Sequence, residues 1–452
     1  MKFPGLGRHT RLLCILLLKS ALVQHASAQV DNPLRPEDLL PELARILEAA
    51  QEGAPSLIEQ DFLKREADQR LKQARSDYYP RLDLNANFGY RKEYRSGDAE
   101  DTDNLGVNYS ARLTRPLYHW GAIEARIEQA RLDNDFEAIN YLQNIQEIQR
   151  DMRSRYLTQL LNKLSLRSET ARREKIQEDL EKLRLDYDSG KISKLTYDSA
   201  ELDLLNSILT INKIERDQKR ISERFKQLAG WDQPLLLERM IPTLNLEEIK
   251  IWLESEKGLL SGEWVSQAYR IQQTELDIRR QDEELTLITA RQRPLIDFTA
   301  SARQGQSNTS TANNVDTFTL FGGIGLSWNI FDGYLTKHQK IEAHLKRNRL
   351  KSFLSRLSDD LRLEGHEMLD AIQFQLETTE VIEARFLIER EKYDLSQKDM
   401  ESGRISESTL KETELALFDQ ELGLMEARAE LLMNLSDYLD LTRASNLNIH
   451  SF

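Results

Sequence analysis

The sequence predicts a mainly α protein made of long antiparallel helical hairpins or coiled coils, with four β-strands suited to a membrane barrel. Long stretches rich in Leu, Glu, Lys, Arg, Gln and Ala have helical periodicity and contain few Gly or Pro residues. Four shorter stretches alternate apolar and polar residues, as strands with one apolar face do. Corresponding elements recur 213 residues apart. This constant spacing indicates an internal duplication.

Residues 1–28 have the form of a secretory signal peptide. Basic residues, including Arg8 and Arg11, precede an apolar run, and small residues ending at Ala28 supply a cleavage site. Cys14, the single cysteine, leaves with this segment, so the mature chain is expected to lack disulfides. The net charge of −13 argues against a nucleic-acid partner. No other apolar run approaches the ~20 residues of a membrane-spanning helix.

Residues 29–230 form the first predicted repeat. Pro80 ends a helix, because the residue before a proline disfavours helical geometry. Ser189-Gly190 breaks the long helical stretch, and Ser193 is placed to cap the helix that follows. The predicted elements are helices at 39–50 and 55–78, barrel strands at 82–92 and 107–117, and a helical hairpin at 120–228.

The design recurs after an irregular equatorial segment, 231–262. Pro294 ends a helix before the third strand, and Ser402-Gly403 breaks the second long helix as Ser189-Gly190 breaks the first. The predicted second repeat, 263–441, contains a helix at 263–290, barrel strands at 295–303 and 317–330, and a helical hairpin at 334–441. A C-terminal tail, 442–452, completes the chain.

The alternation gives every strand one apolar and one polar face, which predicts contact with lipid on one side and a lumen on the other. Strands of about ten residues fit a tilted bilayer crossing. Four strands cannot close a barrel, and an open sheet edge is not tolerated in lipid. The smallest closed barrels need about eight strands. Two copies would supply eight strands and three would supply twelve, so a membrane location requires a homo-oligomer. The residues predicted to face lipid are Leu82, Phe88, Tyr109, Phe298, Leu320 and Ile324, and those predicted to face the lumen are Asn85, Asn87, Ser110, Thr299, Ser301 and Ser327.

Two short motifs mark the points where a strand passes into a long helix. They are Trp328-Asn329-Ile330-Phe331-Asp332-Gly333 and its first-half counterpart Pro116-Leu117-Tyr118-His119-Trp120-Gly121. With these motifs the mature chain resembles the outer-membrane efflux protein (TolC) family. The resemblance implies a homotrimer in the cell outer membrane, in contact with its lipid, with a twelve-stranded barrel and a twelve-helix periplasmic tunnel. It also implies an inner-membrane transporter and a periplasmic adaptor protein as partners, and no cofactor.

The resemblance places a barrel-to-tunnel junction at the two motifs and at the prolines that precede the strands. Trp and Tyr favour a membrane interface because they have one apolar and one polar side. An aspartate just before a helix can cap it. The predicted junction residues are Pro80, Pro116, Tyr118, Trp120, Pro294, Trp328, Phe331, Asp332 and Gly333.

The resemblance also places a periplasmic tip at the two breaks between helices. Family members close the tunnel there with charged and polar contacts, and an adaptor docks on the same turns. This chain departs from the family pattern at Ile405, where some members carry arginine, and at Thr409, where an aspartate is expected. The predicted tip residues are Asp188, Gly190, Lys191, Glu401, Gly403, Arg404, Glu407 and Glu412.

Two alternatives lie outside the channel class. An extracytoplasmic coiled-coil scaffold protein would explain the helices, but not four two-faced strands at duplicated positions. An enzyme is disfavoured because the seven histidines are scattered and no nucleophile motif, phosphate loop or metal-ligand spacing stands out. Within the channel class, small-molecule efflux and type I protein secretion both stay open, because the pump largely selects the substrate.

Overall fold

The structure is a computed structural model that describes residues 35–94, 102–231, 233–237, 240–259, 263–308 and 314–443. The predicted signal peptide, 1–28, lies outside these residues, as does all of the predicted tail beyond Arg443. The prediction of a mainly helical chain with four strands is confirmed.

The helices and strands of the first part of the chain are α1 (Pro36–Leu39), α2 (Pro41–Gly53), α3 (Pro55–Ser76), β1 (Arg81–Glu93), β2 (Thr102–Tyr118), α4 (Ala122–Asp188) and α5 (Lys194–Ala229). Those of the second part are α6 (Leu246–Leu259), α7 (Tyr269–Ala290), β3 (Leu295–Asn308), β4 (Asn314–Ser327), α8 (Leu335–Glu401) and α9 (Glu407–Thr442), with a 3-10 turn at Glu263–Gln267 before α7. The long helices α4 and α8 have 67 residues each, and α5 and α9 have 36 each. The two predicted repeats therefore contain hairpins of equal length.

The four strands form one antiparallel sheet in the order β1-β2-β3-β4. The register sets apolar residues opposite one another across the sheet, as in the pairs Leu82–Leu113 and Phe298–Ile324. Directly opposed residues of antiparallel strands point to the same face. All four apolar stripes therefore share one face. Its middle row consists of Leu84, Ala111, Ala302 and Leu320.

One compact unit contains the described residues of Met1–Glu59, Leu142–Ala268 and Asp359–Phe452. Its core is lined by helix faces that repeat every three or four residues, as amphipathic helices require. On α9, Met425, Ala429 and Leu432 are buried. The buried residues of the α4 stripe are Ile145, Ile148, Met152, Tyr156, Leu160 and Leu164.

The second unit contains Gln60–Tyr141 and Tyr269–Ser358, and so includes the sheet and the helix segments that adjoin it. Polar contacts join those segments to one another. The Arg280 guanidinium lies 2.8 Å from the Asp133 carboxylate, and the Gln273 side-chain amide donates to Asn140 Oδ1 at 2.7 Å. These contacts tie α7 to the first turns of α4.

The structure differs from the sequence prediction at several boundaries. β2 begins at Thr102 rather than at residue 107, and β3 continues to Asn308 rather than ending at residue 303. β4 ends at Ser327 rather than at residue 330, because its partner β3 begins at Leu295, directly after Pro294, and offers no further ladder. The segment 231–262 was predicted to be irregular, yet it contains the helix α6. Ile249, Trp252 and Leu253 explain this helix, since their helical spacing puts all three in the core.

Within the described parts of the chain, no helix combines the length and apolar character that a membrane crossing needs. Across those same residues, His, Cys, Asp and Glu side chains form no group of three or more suited to a metal ion.

Candidate functional site

Trp120 occupies the corner between β2 and α4. Trp120 and Gly121 both have left-handed backbone angles, with φ of 56° and 79°, which turn the chain from strand to helix. The Tyr118 ring meets the Trp120 ring edge-on at 4.7 Å. The indole Nε1 donates to the Pro294 carbonyl at 2.8 Å, and the Arg293 guanidinium lies 4.8 Å from the ring centre. This corner is therefore joined to the start of β3.

The second corner, between β4 and α8, has the same backbone design. Gly333 and Tyr334 have φ of 65° and 67°, and they stand 213 residues after Trp120 and Gly121. Asp332 accepts hydrogen bonds from the Thr336 backbone N–H at 2.9 Å and from the Thr336 hydroxyl, so it caps α8. The Phe331 ring lies edge-on to Tyr334 at 5.6 Å.

Both tryptophans of the junction donate hydrogen bonds to backbone carbonyls of the turn before β3. Trp328 Nε1 donates to the Gln292 carbonyl at 2.9 Å, two residues before the carbonyl that accepts from Trp120. Each indole therefore satisfies its one polar group with a backbone carbonyl. Pro80 directly precedes β1, as Pro294 directly precedes β3.

Sequence reasoning missed one polar contact at the junction. His119 Nε2 lies 2.8 Å from Asp297 Oδ1, and Asp297 is also the strand partner of Pro116. The ladder shifts register between Pro116 and Tyr118, where a proline, which has no N–H to donate, is tolerated. No short sequence motif predicts this contact, because its two residues lie 178 positions apart in sequence.

The two turns at the hairpin ends are alike in detail. Gly190 and Gly403 have φ of 74° and 72°. Ser193 and Ser406 each accept a hydrogen bond from a threonine N–H at 3.2 Å and so cap α5 and α9. A basic side chain closes each turn, because Lys191 contacts Asp186 at 2.9 Å and Arg404 contacts Asp399 at 3.0 Å.

The first half of the chain matches the family model described as outer membrane efflux protein, over residues 46–231. The resemblance predicted from the junction motifs is thus confirmed. No curated protein matches the sequence.

Solved structures show that the efflux-protein fold extends over most of the chain. The Campylobacter jejuni CmeC outer membrane channel superposes with a TM-score of 0.69 at 12% identity, covering 89% of this chain and 86% of that one. VceC from Vibrio cholerae gives a TM-score of 0.66 at 12% identity, with 89% and 96% covered. CusC gives 0.68 at 13% identity, with 89% and 92% covered. At these identities the likeness shows the fold alone.

The charged residues of the predicted tip fall into three groups. Asp188 and Glu401 are exposed at the ends of α4 and α8. Lys191 and Arg404 close the turns. Glu412 lies 3.2 Å from Lys175, and Lys411 contacts Glu178 at 2.6 Å and Glu407 at 3.2 Å. Glu412 thus belongs to a contact between α4 and α9, whereas Glu407 is the exposed first residue of α9 and pairs with Lys411 on the same helix.

Toward the hairpin turns, between residues 168–182 of α4 and 407–419 of α9, the contact of these helices contains several polar pairs, and we call this part the in-chain seam. Arg172 and Ser168 both bind Asp419, at 2.7 and 2.8 Å. The hydrogen bond to Asp179 raises the Lys175 pKa and lowers the Asp179 pKa, and the bond to Glu178 raises the Lys411 pKa. These three groups therefore keep their charges at neutral pH.

A buried ionic cluster, also missed from the sequence, holds the N-terminal segment against the helices. The Arg153 side chain is 1% exposed, and it donates to Glu37 at 2.7 and 2.9 Å and to Asp440 at 2.7 Å. Arg35 contacts the same Asp440 at 3.2 Å. Tyr156 donates to Glu42 at 2.7 Å, and its pKa is raised by burial and by this bond. The cluster joins α1 and α2 to α4 and to the end of α9.

Proposed function

We propose that this protein is a trimeric outer-membrane channel that exports substrates received from an inner-membrane transporter through a periplasmic adaptor protein. The match of residues 46–231 to the family model described as outer membrane efflux protein supports an outer-membrane efflux channel. The trimer, the adaptor and the pump are finer points that rest on the resemblance and on the geometry of the sheet. The family and the similar structures are channel proteins rather than enzymes.

The proposal depends mainly on one feature of the four-stranded sheet, its exposed apolar face. Its apolar face exposes large side chains on both outer strands, including Leu84 and Phe88 on β1 and Leu320 and Ile324 on β4. An apolar face of this size in water marks a contact surface. In lipid the face is favourable, but the outer edges of β1 and β4 then need partners. Pairing β4 of one copy with β1 of the next satisfies both edges.

Three copies close a barrel of twelve strands, within the size range of outer-membrane barrels. The polar face then lines a lumen, and its side chains include Asn85, Ser110 and Arg303, which lie in one row across β1, β2 and β3. The aromatic corners at Trp120 and Phe331 follow the ends of β2 and β4, where an interface belt is expected.

We expect the mature protein to fractionate with the outer membrane and to sediment as a trimer after mild detergent extraction, because the open strand edges require one another. Analytical ultracentrifugation of the extracted protein measures this. A monomer in detergent, or protein found only in the soluble periplasm, would contradict the proposal. Purified trimers should also conduct ions across planar bilayers, whereas the scaffold alternative predicts no conductance.

The tip offers a test of the gate. Arg404 is the basic residue that closes the second hairpin turn, and three copies would meet where the tunnel closes. Arg404→Glu removes the contact with Asp399 and adds like charges. Exposed pairs contribute only about 0–1 kcal/mol each, so the closed state should be shallow and easily shifted. We expect a higher single-channel conductance in planar bilayers.

Arg404→Lys is the matched control, since it keeps the positive charge and should leave conductance near that of the wild type. Unchanged conductance of the Arg404→Glu trimer would remove Arg404 from the gate. The same substitution at the first turn, Lys191→Glu, shows whether both turns take part.

A further inference from the structure

The four long helix arms at the hairpin end form a row in which only the inner two have neighbours on both sides. Within their compact unit, α4 contacts α5 and α9, and α9 contacts α4 and α8. The contacts that fix this order are Gln159–Gln218 O (2.9 Å), Arg172–Asp419 (2.7 Å) and Arg428–Glu383 (2.6 Å). The order is α5-α4-α9-α8. Among these four arms, α5 and α8 therefore each have a neighbour on one side only. Further from the hairpin turns, α2 lies against α5, and α6 contacts α8 through Lys250–Glu380 and Lys257–Gln373.

Those two outer faces carry apolar residues spaced by seven. The face of α5 has Leu195, Leu202 and Leu209, and the face of α8 has Phe374, Val381, Ile388 and Leu395. All seven are between 53% and 79% exposed. A seven-residue apolar spacing is the pattern that packs one helix against another. Exposed apolar stripes on otherwise charged helices indicate a partner helix.

The internal repeat indicates which helix that partner is. Adding 213 to a residue of α4 gives its counterpart on α8, and subtracting 213 from a residue of α9 gives its counterpart on α5. The in-chain seam between α4 and α9 is therefore the counterpart of a seam between α8 and α5. Those two helices are the ends of the row, so they can meet only between two copies.

The two seams differ in chemistry at matching positions. On α4 the positions are Ser168, Lys175 and Lys182, of which the first two bind Asp419 and Glu412 across the in-chain seam. Their counterparts on α8 are all apolar. These counterparts are Val381, Ile388 and Leu395.

The in-chain seam also supplies the register. In the in-chain seam Lys175 lies beside Glu412 and Ser168 lies beside Asp419. The offset of 213 residues converts these pairs into Ile388 beside Ser199 and Val381 beside Asn206. Leu202 and Leu209 lie three residues beyond these two α5 positions, about one helical turn. An antiparallel approach in this register sets the two apolar stripes against each other.

We propose that the apolar faces of α5 and α8 bind one another between neighbouring copies, with Leu195 against Leu395, Leu202 against Ile388 and Leu209 against Val381. This assignment rests on the proposed trimer and goes beyond it by naming the contact surface and its register. At the matched positions the seam between copies is apolar, whereas the in-chain seam has an ion pair and a hydrogen bond. Salt screens exposed ion pairs, so raised ionic strength weakens the in-chain seam more.

Paired cysteines test the register. In a Cys14→Ser background, Leu202→Cys with Ile388→Cys should give covalent dimers and trimers on denaturing gels after treatment with a short bismaleimide. The control pair, Leu202→Cys with Leu395→Cys, is one heptad out of register, about 10 Å along the helix, and should give several-fold less product. The yield from the first pair should be the same in low and high salt.

Equal yields from the two pairs, or cross-links only within one chain, would overturn the proposed seam. Light scattering of the detergent-extracted protein before cross-linking separates this failure from failure of the proposed function. A monomer overturns the trimer itself. A trimer without the Leu202–Ile388 product overturns the seam alone.

Charge rescue supplies a second test that needs no reagent. Leu202→Lys and Ile388→Glu should each lower the yield of assembled trimer, because each places an unpaired charge in an apolar contact. The double variant should recover most of the loss, since the two charges then face one another. Leu202→Lys with Leu395→Glu should not recover it. Equal behaviour of the two double variants would count against the register.

Discussion

Arg153→Met is expected to destabilise the protein by about 3–5 kcal/mol, because it leaves two buried carboxylates without their shared partner. Burial alone would lower the Arg153 pKa, but hydrogen bonds and charges from Glu37 and Asp440 raise it above its usual value. The guanidinium therefore stays charged, and its removal leaves the two acids with only the more exposed Arg35, which lies 3.2 Å from Asp440 and 3.9 Å from Glu37. The loss should appear as a large fall in the thermal unfolding midpoint at a fixed protein concentration, measured by circular dichroism.

Arg150→Met is the matched control. Arg150 lies one turn earlier on α4 and contacts Asp437 of α9 at 2.7 Å, but its side chain is largely exposed. An exposed pair contributes only about 0–1 kcal/mol, so this variant should unfold close to the wild-type midpoint. Equal shifts for the two variants would show that the buried cluster adds no more than a surface contact. Limited proteolysis should then also find α1 and α2 equally protected in both proteins.

The strands and hairpins could be predicted because their signals are local. The alternation of apolar and polar residues around Leu82 and Phe88 predicts a strand with one apolar face. Ser193, directly before a helical stretch, predicts a helix cap. The duplication strengthened each prediction, since a weak signal in one half, such as Gly190, had a counterpart in Gly403. Local signals of this kind depend on backbone conformation, which nearby residues determine.

The ionic cluster and the partners of the tip acids could not be predicted, because they join residues far apart in sequence. Arg153 binds a carboxylate 116 residues before it and another 287 residues after it. Glu412 has the spacing of a tip residue, yet its partner Lys175 lies on another hairpin. The helix α6 had a helical signal in Ile249 and Trp252, but the irregular residues around it masked that signal.

A charge on the apolar face of the sheet should block assembly, and the register identifies the best position for it. Phe298 lies near the junction, directly opposite Arg115. A positive charge introduced at position 298 would therefore lie beside the charge of Arg115. Leu84 instead belongs to the middle row of the face, with Ala111 opposite it. An arginine on the lipid face near mid-bilayer costs about 2–4 kcal/mol per site. Leu84→Arg should therefore remove most of the assembled trimer from outer-membrane fractions, measured on semi-native gels.

Asn85→Arg is the control one residue along the same strand. Asn85 points to the polar face, opposite Ser110, so the added charge would enter a water-filled lumen rather than lipid. The two variants share their strand, their depth and the residue introduced, and only the face differs. Trimer yield should stay near the wild-type level for Asn85→Arg. Similar losses in both variants would mean that the apolar face does not meet lipid, and the sheet would then need another role, such as packing against a protein partner.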